Sequence, residues 1–200
     1  PMRCSDAHAH LDPRLDALLD PEMTVMVSCT TREQYAHARS LKLPSLRISC
    51  GVHPWQAAQI SEDELIPCMK EADFIGEIGM DSVWGDVPHE MQRQVFHRQL
   101  HLARQWHKPV ILHTKGMEQE ILQELKTCPN DYVVHWYSCG RHMEEYIALG
   151  CAFTFALSLE SDENEQRLAA LVPLDRILVE SDGLSAMEWV KGQTLEGHAY

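Results

Sequence analysis

Six side chains stand out for the chemistry they could do together: His8, His10, Glu77, His113, His135 and Asp182. Each comes at the end of, or just after, a short apolar run. His8 and His10 open the set inside DAHAHLD (residues 6–12). On an extended strand, residues two apart point to the same face, so both imidazoles are presented together, and neutral imidazole is the commonest metal ligand. Glu77 lies in IGEIGMD between apolar residues and two glycines, which is odd for a surface loop. His113 lies in VILHTKG, His135 in VVHWYSCG and Asp182 in ILVESDG. Taken singly, each has an ordinary explanation: a polar strand end, a hydrogen-bonded core histidine, a capping acid or a turn aspartate. Taken together they form a set of nitrogen and oxygen donors too large for one tetrahedral site. They suit two divalent ions about 3.5–4 Å apart that share a carboxylate, as in hydrolytic two-metal sites. Glu77 is the expected bridge. His8, His10 and Asp182 complete one site, and His113 and His135 the other. This ligand chemistry accepts Zn, Mn, Mg, Ni or Fe.

Something must hold these six side chains at one place. The chain alternates short apolar runs with longer segments of helical period. The runs are 2–7, 24–29, 46–50, 74–76, 109–112, 132–134, 151–154 and 177–179, spaced roughly every 25 residues. Each reads as a strand buried on both faces of a parallel sheet. Between them, residues 31–41 open with the capping pair Thr31 and Gln34. Residues 89–107 carry a stripe of Met91, Val95, Phe96, Leu100, Leu102, Ala103 and Trp106. Strict βα alternation with eight strands predicts an α/β fold, a TIM (β/α)8 barrel, formed by residues 1–200 as one domain. Such barrels carry their active sites at the C-terminal mouth, where the six residues fall.

The composition, 44% hydrophobic and 24% charged, is that of a globular protein and excludes disorder for most of the chain. A net charge of −13 argues against coating nucleic acid or an anionic membrane through a basic face. It does not argue against a phosphate held by bound cations. The seven cysteines include no C-x-x-C pair. Cys4, Cys29 and Cys50 sit in or beside apolar runs, so a reducing, cytoplasmic setting is expected. The polar start does not read as a signal peptide, and the longest uncharged stretch, 146–159, is too short to span a bilayer.

In this order, DAHAHLD, GVHPW (51–55), GEIGMD (76–81), PVILHTKG (109–116), HWYSCG (135–140) and LVESDG (178–183) resemble the TatD-like metal-dependent hydrolases, the TatD-related deoxyribonucleases. The resemblance runs from about residue 5 to residue 183. It implies a TIM barrel, a divalent-metal site and phosphodiester hydrolysis, often of DNA. Its metal ligands fall on the same six residues. HWYSCG departs from the usual His-Cys-Phe-Ser/Thr-Gly and ESDGL from the usual Glu-Thr-Asp-x-Pro, with the ligand kept in both. Only eighteen residues follow Asp182 where the family continues further. The last barrel helix is therefore expected to be short or missing, with a turn or two over 185–190 and no apolar period over 193–200.

The expected reaction is attack on phosphorus by a hydroxide activated between two metals, exonuclease-like, on short or single-stranded DNA, with Asp182 as base and Glu77 in support. His53 and Lys115 are expected to contact substrate phosphate, and Trp55 to stack on a base. His97 and His101, spaced i,i+4, lack the glutamate of H-E-x-x-H and read as a helix-surface pair. With Arg93, Arg98, Arg104 and Lys108 they belong to a solvated face. Two other readings stay open: an amidohydrolase-type amide or lactone hydrolase, and a truncated, inactive metal-binding copy. In the latter an uncovered seam between strands eight and one favours homo-oligomers.

Overall fold

The computed structural model describes residues 5–17 and 19–196, without the side chains of residues 15 and 193–196. Eight strands form one parallel sheet in sequence order: β1 (Ser5–His10), β2 (Thr24–Cys29), β3 (Leu46–Cys50), β4 (Phe74–Asp81), β5 (Val110–Lys115), β6 (Tyr132–His135), β7 (Ala152–Phe155) and β8 (Ile177–Val179). Helices alternate with them: α1 (Pro13–Asp16), α2 (Arg32–Ser40), α3 (Glu62–Glu71), α4 (His89–Gln105), α5 (Glu118–Thr127), α6 (Met143–Ala148), α7 (Glu163–Leu171) and α8 (Leu184–Glu196). The TIM barrel expected from the alternation is the fold observed. Residues 2–4 of the expected first strand, Cys4 among them, lie outside the described residues. The six cysteines within them are free. No helix of the described residues is long and apolar enough to cross a membrane.

Strands β1, β4 and β5 run further toward the mouth than their apolar runs suggested, so His8, His10, Glu77 and His113 lie within strands. Ladder hydrogen bonds continue into these polar ends because neighbouring strands supply the partners. Gly79 lets β4 and β5 approach closely: it has φ +154°, and a Cβ there would lie 1.9 Å from the His113 carbonyl oxygen.

Helix α2 begins as expected, with Thr31 Oγ accepting from the Gln34 N–H at 3.2 Å. Helix α4 buries Phe96, Leu100 and Ala103 as expected, but Met91 is exposed and Gln92 and Gln99 are buried. Both amides serve strand ends. Gln99 Oε1 accepts from the Val52 N–H at 2.7 Å, and its Nε2 donates to the Val52 carbonyl at 3.1 Å. Gln92 Oε1 accepts from the Asp81 N–H at 2.7 Å, and its Nε2 donates to the carbonyls of Asp81 and Val87. These bonds satisfy backbone groups where β4 and the segment after β3 leave the ladder.

The seam between β8 and β1 is fastened by Asp6. Its Oδ1 accepts from the Ser181 N–H at 3.0 Å, and its Oδ2 from the Ser181 hydroxyl at 2.5 Å. The Asp182 N–H donates to the His8 carbonyl at 3.0 Å, joining two candidate ligands across the seam.

The expectation of a short or missing last helix is corrected: α8 has 13 residues. It carries no amphipathic stripe, because it lies along the rim of the mouth and not against the outside of β8. Its Glu188 pairs with Arg14 at 2.6 Å, and its Trp189 meets Trp136 after β6. Two apolar side chains of β8 stay open, with Leu178 39% and Val179 58% exposed. Residues 197–200 lie outside the described part.

Ser181→Ala strips a partner from Asp6 Oδ2 and from the Gly183 N–H that Ser181 Oγ accepts at 2.9 Å. We expect a loss of about 1–3 kcal/mol, read as roughly 2–4 °C of Tm per kcal/mol in thermal denaturation. An unchanged Tm would show that the seam is held elsewhere.

Candidate metal centre

All six expected ligands converge at the mouth, and Glu77 is the centre. Glu77 Oε2 lies 2.9 Å from His8 Nε2, 3.5 Å from His10 Nε2 and 4.0 Å from His135 Nε2. Glu77 Oε1 lies 2.9 Å from His113 Nδ1 and 2.7 Å from His53 Nε2. Asp182 Oδ1 is 3.3 Å from His8, 3.4 Å from His10 and 3.8 Å from His135, in each case from Nε2. The ring of His8 stacks on that of His135 with centroids 4.0 Å apart.

The grouping differs from the expected one. Ligand atoms cluster as His8–His10–Asp182, as His8–Glu77–His135 and as His53–Glu77–His113. His135 therefore sits on the His8 side of Glu77. The partner of His113 across Glu77 is His53, which was expected on substrate phosphate. Parallel register explains the first point only in part. His113 and His135 are register partners on β5 and β6, but their rings lie 6.2 Å apart and aim at different oxygens of Glu77.

Two acids that sequence reasoning passed over orient these rings. His113 Nε2 faces Asp81 Oδ2 at 2.8 Å, and His135 Nδ1 faces Glu180 Oε2 at 2.9 Å. A carboxylate on one ring nitrogen holds the proton there and turns the other nitrogen's lone pair inward. In neutral rings held this way, His113 would carry its proton on Nε2 and His135 on Nδ1. Asp81 is fully engaged: its Oδ1 accepts from the N–H groups of Val83 and Trp84, both at 2.7 Å, and its Oδ2 from Trp55 Nε1 at 2.7 Å. The available signal was the strand period, since Asp81 follows Glu77 and Gly79 at steps of two.

Lys115 was expected to reach substrate phosphate. Its Nζ instead donates to the Trp136 carbonyl at 2.7 Å and to Ser138 Oγ at 3.1 Å. Trp55 is 46% exposed at the rim, edge-on to His113. His97 and His101 are exposed on α4, and His97 Nδ1 meets Glu124 at 2.8 Å, as a helix-surface pair would.

The electrostatics ask for positive charge. Burial alone would raise the Glu77 carboxyl, but His135, His53, His10 and His113 hold it well below its ordinary value. Burial also pushes Asp182 up, and His135, His8 and His10 bring it below the usual range. Burial opposes charge on His8, yet Asp182 and Glu77 lift its pKa well above that of free imidazole. His8 Nε2, Glu77 Oε2 and Asp182 Oδ1 are buried and converge, but none makes a hydrogen bond. With the His8 Nε2 lone pair turned inward, these atoms repel one another unless a cation lies between them. A divalent ion meets that demand with the imidazoles neutral, so the residues present fit a metal.

Burial would raise Asp81, but His113, the Trp84 N–H, Trp55 and the Val83 N–H outweigh it and hold the carboxyl below its ordinary value. A depressed pKa of this sign contributes stability above the unfolded value of about 3.9. That stability is lost as pH falls toward the folded value. Asp81→Asn sets an amide donor against Trp55 or its neighbours. We expect a flatter acid limb in stability against pH and a roughly 10–100-fold weaker metal affinity by calorimetry. Wild-type affinity in this variant would remove Asp81 from the metal centre.

Known proteins resemble this chain in sequence and in fold. The profile of the family described as TatD related DNase matches residues 5–190. The uncharacterized metal-dependent hydrolase YcfH of Escherichia coli is 29% identical, with 88% of this chain and 76% of that protein covered. The 3'-5' ssDNA/RNA exonuclease TatD of Pectobacterium carotovorum is 32% identical, with 67% and 56% covered. The chain spans 56% of the length of YabD, an uncharacterized metal-dependent hydrolase of Bacillus subtilis. The crystal structure of YJJV, a TatD homologue from Escherichia coli, superposes with a TM-score of 0.78 at 24% identity, over 90% of this chain and 79% of that one. The barrel and the family match extend over the same part of the chain: it belongs to the TatD related DNase family.

Proposed function

We propose that this protein is a metal-dependent phosphodiesterase that cleaves short or single-stranded nucleic acid. The observation that carries the reading is Glu77, whose two buried carboxylate oxygens each face imidazole nitrogens within 3.5 Å. Two divalent ions are proposed, with His8, His10, Glu77, His113, His135 and Asp182 to hold them. Nuclease-named relatives support a nucleic-acid substrate.

Divalent ions at these ligands would lower the pKa of a water and draw charge from the phosphoryl oxygens. Asp182, ionised at neutral pH because its carboxyl is held low, takes the proton of the attacking water. Its backbone favours this placement, since φ +55° turns the side chain off the end of β8 and its N–H is fixed to the His8 carbonyl. Glu77 stays ionised between its histidines and fixes the direction of attack. His53 acts at one remove, by holding Glu77 Oε1. Lys115 ties β5 to the segment after β6 and keeps a cation beside the mouth. Trp55 stacks on a base.

A second reading, a poorly active copy that binds metal and self-associates, is favoured by apolar side chains left open on β8 and in the turn before it, where Val179 is 58% and Leu174 87% exposed. A stable monomer with chelator-sensitive hydrolysis would remove it.

Asp182→Asn is expected to keep the fold by circular dichroism and to lose about 10²–10⁴ of the activity on short oligonucleotides. Wild-type turnover by this variant would overturn its role as base. Lactone and amide substrates form the second arm: hydrolysis of these and not of phosphodiesters would replace the proposed substrate.

A further inference from the structure

The metal centre is flanked by aromatic rings on two sides. On the His113 side stands Trp55, with ring centroids 5.9 Å apart. On the His135 side stands Trp136, at 6.3 Å, and beyond it Trp189 of α8, at 6.2 Å from Trp136. Only Trp55 was noticed in the sequence. Trp189 was missed because its helix was expected to be short or missing.

We propose that the Trp136–Trp189 pair is a second base platform, opposite Trp55, so that the unit recognised is a phosphodiester with a nucleobase on each side. The inference rests on the phosphodiesterase reading above. Both walls are built before any ligand arrives. Trp55 packs against the backbone of Gly85, where a Cβ would come within 2.6 Å of its ring, and its Nε1 is fixed to Asp81. Trp136 holds φ +41°, which costs an aromatic residue free energy and needs support from its surroundings. That support is present. Its N–H donates to Thr154 Oγ at 3.1 Å, and its Nε1 to Glu165 Oε1 at 2.8 Å. Ser158 Oγ holds the other Glu165 oxygen at 2.7 Å. Lys115 Nζ covers the ring at 5.6 Å from its centroid.

Trp189 then stands edge-on to this fixed ring and remains 41% exposed, against 46% for Trp55. An aromatic face already held in place loses little entropy on binding, and any base can stack on it. The ligand histidines lie between the two walls. A phosphate seated on Glu77's ligands therefore has one wall on each side for its flanking nucleosides. A substrate without bases would meet the metals alone.

The test uses the metal-loaded protein and four dinucleotide substrates: thymines on both sides of the phosphodiester, a tetrahydrofuran abasic residue on one side or the other, and abasic residues on both. Each missing base should lower kcat/KM about tenfold or more. Trp189→Ala should abolish the discrimination on one side only, Trp55→Ala on the other side only, and Trp189→Phe should restore it. Discrimination equal to wild type in Trp189→Ala would overturn the platform. Calorimetric Kd values of the same compounds with metal-loaded Asp182→Asn give the ratio without turnover. Base-dependent binding of this pattern with no hydrolysis by the wild type would sink the phosphodiesterase reading and keep the platform. Equal Kd values for all four would sink the platform itself.

Discussion

The arrangement depends on one buried carboxylate. Glu77 sits inside a barrel strand, 2% exposed, where an unpaired charge would cost far more than a fold can spare. Imidazoles from β1, β5, β6 and the segment after β3 surround it, and further acids and amides orient the rings and strand ends in turn. Breaking such a cluster by removing one partner leaves charge uncompensated, so its members act as a unit. The closeness of unbonded acceptors around Glu77 is why a cation belongs there.

The barrel is shaped to deliver that cluster. Gly79 draws β4 against β5 so that Glu77 and His113 share the mouth. Gly183, at φ +86° and where a Cβ would lie 3.0 Å from the His10 carbonyl oxygen, lets the chain turn tightly after Asp182 at the seam. Gln92 and Gln99 secure the backbone where the strands leave their ladders. The seam is stitched by Asp6, Ser181 and the bond from Asp182 to His8, the place where two candidate ligands meet across the first and last strands. Stability and site geometry are carried by the same hydrogen bonds there.

Much of this was legible in the sequence. Apolar runs located eight strands, and the polar residues just beyond them are the ones that converge as candidate ligands. What escaped was of one physical kind. Apolar periodicity finds the buried part of a strand and stops where polar side chains begin, so β1, β4 and β5 were read short. Gln92 and Gln99 lie outside any apolar stripe, and the backbone groups they bond come from distant segments. Asp81 and Glu180 act only through the rings they touch. The exchange of partners between His53 and His135 depends on ring orientation, which spacing does not encode. Helix α8 lies on a rim and not on a core, and so carries no stripe to read.

The convergent, unbonded atoms around Glu77 are proposed to form a divalent-metal centre. Its most direct test is calorimetric titration of chelator-treated protein with Zn²⁺ or Mn²⁺, with thermal denaturation followed in parallel. Saturable binding of two ions per chain is expected, with a rise in stability of about 2.7 kcal/mol for each ion at a hundredfold excess over its Kd, and with both effects lost in Glu77→Ala. Absence of saturable binding, or the same binding and the same rise in Glu77→Ala, would contradict it.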